Sequence, residues 1–304
     1  MKGSPLHQAR AVFATIDAIG TSKHTAKELA REQGYTTKHD IAKATGVYSF
    51  ASREQYINVA IDLLKYARDK FQIRDAAKLN NETVNSFLES KIAQGVARAT
   101  FDKYASAVEK FVTALNKFQE QHNLPQISID ISESRQIAQE MLERTTQSRA
   151  YSDPQSLINN IKNDVFKVIA EAQLQGGFRL SELNHMSLAN FKGNGIFEVL
   201  QGKGGLNREI QLPNDIYNKL LELAKQPNTT NNKFAFDMNQ YRLELKAAAQ
   251  ASQQAYTGSH GLRWNFAQSK YLELSEKYGE VRALQMVSNL LGHSRSDITK
   301  HYLR

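Results

Sequence analysis

The chain has 304 residues, 41% of them hydrophobic and 23% charged, with a formal net charge of +8 and no cysteine. That length and apolar content can fill two ordinary cores, while no uninterrupted apolar run reaches membrane-spanning length and disulfide frameworks and thiolate zinc sites are excluded. Residues 1–123 carry 18 Lys and Arg against 13 Asp and Glu, and residues 124–304 carry 21 against 18, so both halves are basic and favour a polyanionic partner.

Ala11–Ile19 is apolar but short and holds Asp17, so no signal peptide is expected, and the lack of cysteine fits a reducing cytoplasm. Thr25–Gln33 reads as a helix with a Thr cap. Asp40–Val47 resembles half of a helix-turn-helix, against the plainer reading of a helical extension packed on the next helices of the chain. From Ser52 the periodicity sharpens. Ile57, Ala60, Ile61, Leu64, Ala67 and Phe71 recur at helical spacing. Asn81–Ile92 predicts a shorter helix with Val84, Phe87 and Leu88 inward. Arg98–Phe118 predicts a third, with Phe101, Tyr104, Ala105, Val108, Val112 and Leu115 along its buried stripe. On that helix Lys103, Lys110 and Lys117 recur every seven residues as a basic ridge, which is either a solvated face or a row of phosphate contacts.

Glu120–Asp130 holds a proline and little periodicity and reads as a linker. A helix is predicted over 133–145, and Ser152-Asp153-Pro154 opens a longer one running to about Gln175. Arg179 follows the Gly176-Gly177 break, three residues before Glu182. Val199–Pro213 predicts two short strands around a glycine-rich turn with Lys203 at its tip. Helices are expected at 215–225, 240–250, 261–276 and 279–291. His260 and Arg263 lie three apart, on one face of a helix. Gly292 is placed to end a helix before His293, and Tyr302 follows a short polar run.

A phenol with a pKa near ten is a poor nucleophile unless cations stabilise the developing charge and a neighbour takes the proton. Two arginines, a loop lysine and two histidines around Tyr302 suit a phosphodiester, because guanidinium forks match its non-bridging oxygens. Taken singly these residues have plainer explanations: Arg179 as a surface ion-pair partner, His260 as a core histidine, His293 as a helix C-terminal cation, Lys203 as a turn residue. No acidic cluster stands near the histidines, which disfavours a metal-dependent nuclease.

In order and spacing, Arg179, Lys203, His260/Arg263, Leu291-Gly292-His293 and Tyr302, nine residues after His293, resemble the tyrosine recombinases, the phage integrase and Xer/Cre-type family. The resemblance covers the second half of the chain in detail and the preceding helices more loosely. Gly176 stands where many relatives have Thr, and Trp264 follows Arg263 where His is common. The resemblance implies a mainly α fold with a small β-hairpin or sheet in the catalytic domain, and a two-domain architecture. It divides the chain into a helical extension (1–50), a core-binding domain (51–120), a linker (121–132) and a catalytic domain (133–304). It implies site-specific DNA recombination through a 3′-phosphotyrosine, with neither metal nor nucleotide cofactor. Tyr302 is then the nucleophile, Arg179 and Arg263 the phosphate clamp, and Lys203 the acid for the leaving 5′ oxygen. His260 is the base or relay, His293 a phosphate ligand, and Glu182 a structural support. Arg98, Lys103, Lys110 and Lys117 are the expected DNA contacts. The partner is double-stranded DNA carrying a specific site, and the protein is expected as a monomer in solution, a tetramer on DNA, and cytoplasmic. Two residues after Tyr302 cannot form a helical turn, so residues 1–50 are the candidate contact between protomers. Strand relaxation of the type IB topoisomerase kind and a non-catalytic DNA-binding relative are the alternatives.

Overall fold

The computed structural model describes residues 1, 3–200, 202, 207–293 and 295–304. The chain forms two compact units, Met1–Thr145 and Thr146–Arg304, and the described residues are mainly helical with one small antiparallel sheet. Among the described residues no helix is long and apolar enough to cross a membrane.

In the first unit, α1 (Pro5–Ala14), α4 (Phe50–Phe71), α5 (Asn81–Ala93) and α6 (Arg98–Gln121) pack as a bundle. Ser4 caps α1 by accepting from His7 N–H, with Pro5 at the first helical position where its missing donor costs nothing. Ala9, Val12 and Phe13 of α1 are at most 1% exposed, packed with Leu63, Phe87, Phe101, Phe111 and Leu115. The buried Gln8 is satisfied: its Nε2 donates to Arg74 O at 2.8 Å and its Oε1 accepts from Ala76 N at 2.8 Å. Residues 1–50 are thus not a free extension. Their first helix belongs to the bundle, and the apolar side chains offered for docking on a neighbour are used inside the unit.

Between α1 and α4 the chain leaves the bundle as a helix pair, α2 (Lys23–Glu32) and α3 (Lys38–Ala44). Ser22 rather than Thr25 caps α2, accepting from Thr25 N–H. The two ends of this excursion meet in a parallel bridge between Asp17 and Val47, where Ala18 N–H donates to Val47 O and Val47 N–H to Ile16 O, both at 2.9 Å.

The predicted basic ridge on α6 requires correction. Lys103 and Lys117 are exposed, but Lys110 is 9% exposed and its ammonium donates to the carbonyls of Ala42 and Thr45. A seven-residue repeat does put three lysines on one helix face. The repeat could not show that α3 would cover the middle one and use it to satisfy orphan C-terminal carbonyls. Arg98 is likewise 7% exposed and pairs with Asp102 at 3.2 Å.

Residues 121–132, predicted as a linker, are bonded to the first unit. Asn116 exchanges two 2.9 Å bonds with the backbone of Ile127, and Asn81 and Asn85 hold Asp130. α7 (Ser132–Met141) comes next, shorter than predicted, and packs on α5 and α6 through Ala138. Both predicted boundaries shift accordingly, because polarity and a proline were taken for a hinge where asparagine side chains supply the missing backbone partners.

In the second unit the helix predicted from Pro154 to Gln175 is broken into α8 (Pro154–Asn159) and α9 (Asp164–Gly176). Asn163 caps α9 by accepting from Phe166 N–H, and Glu244 accepts from the backbone of Lys162 and Asn163 at 2.7 and 2.6 Å. Asparagine competes for backbone donors, so a helical period can run through a point where the helix stops. α10 (Leu180–Leu183) comes next, then β1 (Phe191–Gly193), β2 (Ile196–Val199) and β3 (Arg208–Gln211) as an antiparallel meander in that order, with Val199 opposite Arg208. The helices α11 (Asn214–Ala224), α12 (Met238–Ala251), α13 (His260–Tyr278), α14 (Glu280–Leu290) and α15 (Ser296–Lys300) complete it. Phe178 meets Phe197 edge-on at 5.1 Å, and the buried Tyr241 hydroxyl donates to Gln173 at 2.7 Å. α13 packs against α9 and α14, and α14 against β3 and α15. That arrangement brings the residues before α10, the start of α13 and the end of the chain together.

Candidate active site

The site is organised on one face of α13. His260, Arg263, Trp264 and Gln268 fall at helical spacings of three, four and eight, and all four touch Tyr302. The Tyr302 hydroxyl lies 2.7 Å from His260 Nε2. Its ring stands 5.2 Å from Trp264 and 5.2 Å from His293, with the Arg263 guanidinium 5.9 Å over it. Gln268 Nε2 donates to the carbonyls of Tyr302 at 3.1 Å and Arg304 at 2.9 Å. Tyr302 is consequently 8% exposed.

Arg263 is fully buried and, among the described residues, pairs with no carboxylate of its own. It donates to the carbonyls of Gly177 and Leu291, and to His293 Nε2 at 3.3 Å. Its Nε has no hydrogen-bond partner among the described residues. Burial first, and the nearby Arg179 charge second, bring its pKa down to about 10. Gly177 has its place here because it ends α9 at φ +62°, and a Cβ there would meet the Phe266 ring at 2.3 Å. A side chain would push α9 off α13 and carry away the carbonyl that receives Arg263.

A second group surrounds Glu182, which is 5% exposed on its side chain. It accepts from Arg179 backbone N–H at 2.7 Å and Arg179 guanidinium at 2.6 Å, and two-pronged from Arg208 at 2.9 and 2.6 Å. Burial alone raises a carboxyl pKa, but hydrogen bonding and charge from Arg208, with help from Arg179, outweigh it and hold Glu182 near 2. Arg208 also donates through Nε to Leu290 O at 3.0 Å. Gly292, at φ +63°, leaves room for it, since a Cβ there would stand 3.0 Å from Arg208 Cδ. Arg208 therefore ties β3 to α10 and to the turn that carries His293.

His293 is lowered to about 4, first by burial and then by Arg263, so its imidazole is neutral at pH 7. Arginine only donates, so Nε2 of His293 accepts and the ring proton sits on Nδ1, 2.9 Å from Thr299 Oγ1. A bond from His293 to phosphate thus requires the 3.3 Å contact with Arg263 to give way.

Arg179, Glu182, His260, Arg263, His293 and Tyr302 lie in one cluster. Lys203 lies outside the described residues. Sequence reasoning missed Arg208, Gln268 and Thr299. Helical spacing from His260 points to Gln268, whereas nothing local distinguishes Arg208 from any other strand arginine. Around Tyr302 the described residues place three guanidiniums against one carboxylate, a net positive site with a phenol inside it.

No family model and no curated protein matches the chain. Solved structures do. Lambda integrase residues 75–356, a dimer bound to a COC′ core site, is 16% identical over 91% of this chain and 95% of that one, with a TM-score of 0.58. A lambda integrase dimer on the same site is 17% identical, covering 100% and 81%, with a TM-score of 0.58. The Tn1549 transposon integrase with a circular intermediate DNA is 12% identical, covering 98% and 95%, again at 0.58. The chain has the tyrosine recombinase fold.

Proposed function

We propose that this chain, built on the tyrosine recombinase fold, is a site-specific DNA recombinase that cuts and rejoins duplex DNA through a 3′-phosphotyrosine on Tyr302. One observation carries the reading: the Tyr302 hydroxyl is 2.7 Å from His260 Nε2 while its ring lies against the buried Arg263. The phenol thus has both a proton acceptor and a cation beside it. DNA as the partner is supported by the solved relatives, which hold core-site or circular-intermediate DNA. In this reading Thr146–Arg304 is the catalytic unit and Met1–Thr145 binds DNA. Several protomers, expected as a tetramer, assemble on two duplexes.

In the forward step the Tyr302 oxygen attacks the scissile phosphorus and its proton passes to His260. The bond from phosphorus to the 5′ oxygen breaks, and that oxygen takes a proton from Lys203. Arg179 and Arg263 hold the non-bridging oxygens, with His293 steadying Arg263. An incoming 5′ hydroxyl reverses the sequence, so the phosphodiester energy is conserved in the tyrosyl ester.

The test is trapping. Nicked duplexes that lose a short 5′ fragment on cleavage, drawn from a library of genomic sequence, should accumulate a covalent adduct. Peptide mapping should place it on Tyr302. An adduct on another residue, or none from any substrate in the library, overturns the reading. Lys203 is tested separately. Lys203→Ala should cleave normal DNA at least about 10²-fold more slowly and recover when the bridging 5′ oxygen is sulfur, because a thiolate leaves without a proton. Arg179→Ala should not recover. Equal recovery of both removes the acid role from Lys203.

A further inference from the structure

The helix pair α2–α3 contributes little to the core of its unit. Its buried apolar residues are Ala30 and Ile41, and neither joins the main cluster. Yet its position is held at three points. The Asp17–Val47 bridge closes its base, Arg53 pairs with Asp17 at 2.6 Å, and Lys110 fastens the end of α3. What the pair supplies is charge.

A cleft of about 420 Å³ lies between α2, α3 and the face of α6, lined by Lys23, Lys27 and Arg31 from α2, Lys38 and Lys43 from α3, and Arg135 from α7. Lys23, Lys27 and Arg31 are four residues apart, hence in one row along α2 at about 6 Å intervals. A row of about 12 Å is long enough to meet more than one phosphate of a DNA strand. The acids of α2 are elsewhere: Glu28 pairs with His24 at 3.2 Å, and neither Glu28 nor Glu32 lines the cleft. Glu109 does line it, and Arg135 holds that carboxylate at 2.7 Å. The cleft floor registers the crowding. Burial, and after it the charge of Lys23, bring Lys110 down to about 8.

We propose that the α2–α3 cleft is a phosphate-binding surface for the backbone of duplex DNA, added to the bundle between its first two helices. This rests on the reading of duplex DNA as the partner and assigns that contact to residues that the heptad on α6 did not indicate. Lysine ammoniums are point charges without base-edge geometry, so the cleft strengthens and orients binding rather than reading sequence.

The experiment uses the full chain with Lys27→Gln, Arg31→Gln, Lys38→Gln and Lys43→Gln combined, and a fluorescent duplex of arbitrary sequence titrated at several salt concentrations. Each lost phosphate contact should flatten the dependence of log affinity on log salt by about 0.9, so the combined variant, with four charges removed, should lose roughly three and a half units. Arg31→Gln and Lys43→Gln alone should each lose about one, which keeps the proposal open to refutation if the combined variant misfolds. Wild-type slope and affinity in the folded variants overturn it. So does loss of binding to an acidic polypeptide with duplex binding unchanged, which would make the partner a protein. Adduct formation by wild type with an unmoved slope in the variants removes the cleft alone. A steep, variant-sensitive slope without any adduct removes the recombinase reading and leaves the cleft in place.

Discussion

Tyr302→Phe should form no covalent adduct with nicked DNA, a loss of at least about 10⁴-fold in cleavage set by the detection limit, while its affinity for duplex DNA stays within about threefold. The two effects separate because of how the ring is held. Phenylalanine keeps the contacts with Trp264, His293 and Arg263 and leaves the backbone carbonyl that Gln268 grips in place. Only the hydroxyl bond to His260 is lost, a net cost of about 1 kcal/mol. A melting midpoint close to wild type together with a complete loss of adduct therefore assigns the chemistry to one oxygen. Adducts persisting in this variant would remove Tyr302 as the nucleophile.

The second large effect is expected at a residue that the sequence did not single out. Arg208→Ala leaves the Glu182 carboxylate, 5% exposed, without its two-pronged partner. Removing one member of a buried pair costs about 3–5 kcal/mol because the other remains buried and charged. For a unit of this size that is a fall in melting midpoint of roughly 6–20 °C. Cleavage should fall by about 10² or more, since Arg208 holds β3 to α10 and to Leu290 beside the His293 turn. The Glu182→Ala, Arg208→Ala double variant should be less destabilised than the sum of the singles by about 2–3 kcal/mol. The pH dependence has a definite sign. Glu182 is lowered from 4.5 to about 2, so its contribution is present above pH 4.5 and lost as pH falls toward 2. The difference in stability between wild type and Arg208→Ala should narrow over that window. Additive singles and a constant difference would mean that Arg208 acts alone.

The residues around Tyr302 were legible only jointly, through their order and spacing along the chain, since each taken singly has a plainer explanation. Helical spacing adds that His260 and Arg263 fall on one face of α13. The stripes of α4, α5 and α6 were legible for a different reason, since an apolar period survives in any context where the helix is buried. Lys110 was not. The lysine repeat on α6 is a correct statement about one helix, but burial of its middle member is decided by α3, some 65 residues away in sequence. Arg208 failed similarly, because its partners Glu182 and Leu290 come from two other elements. The break at Asn160–Asn163 and the pinning of 121–132 share another cause: asparagine amides bond to backbone, which neither periodicity nor polarity records.

The rung between Asp17 and Val47 has a consequence for how this chain can change. Because Ile16 and Ala18 both bond to Val47, the chain departs from the bundle and returns to it at nearly the same point. Whatever lies between is a loop whose length enters stability only through a logarithm, about 0.6 kcal/mol per doubling. Residues 18–46 can therefore be shortened, exchanged or grafted while α1, α4, α5 and α6 keep their packing. Lys110, released from the carbonyls of Ala42 and Thr45, would simply return to water as an ordinary surface lysine. The bundle is in effect a socket, and the helix pair a detachable fitting that new sequence can replace without a new fold.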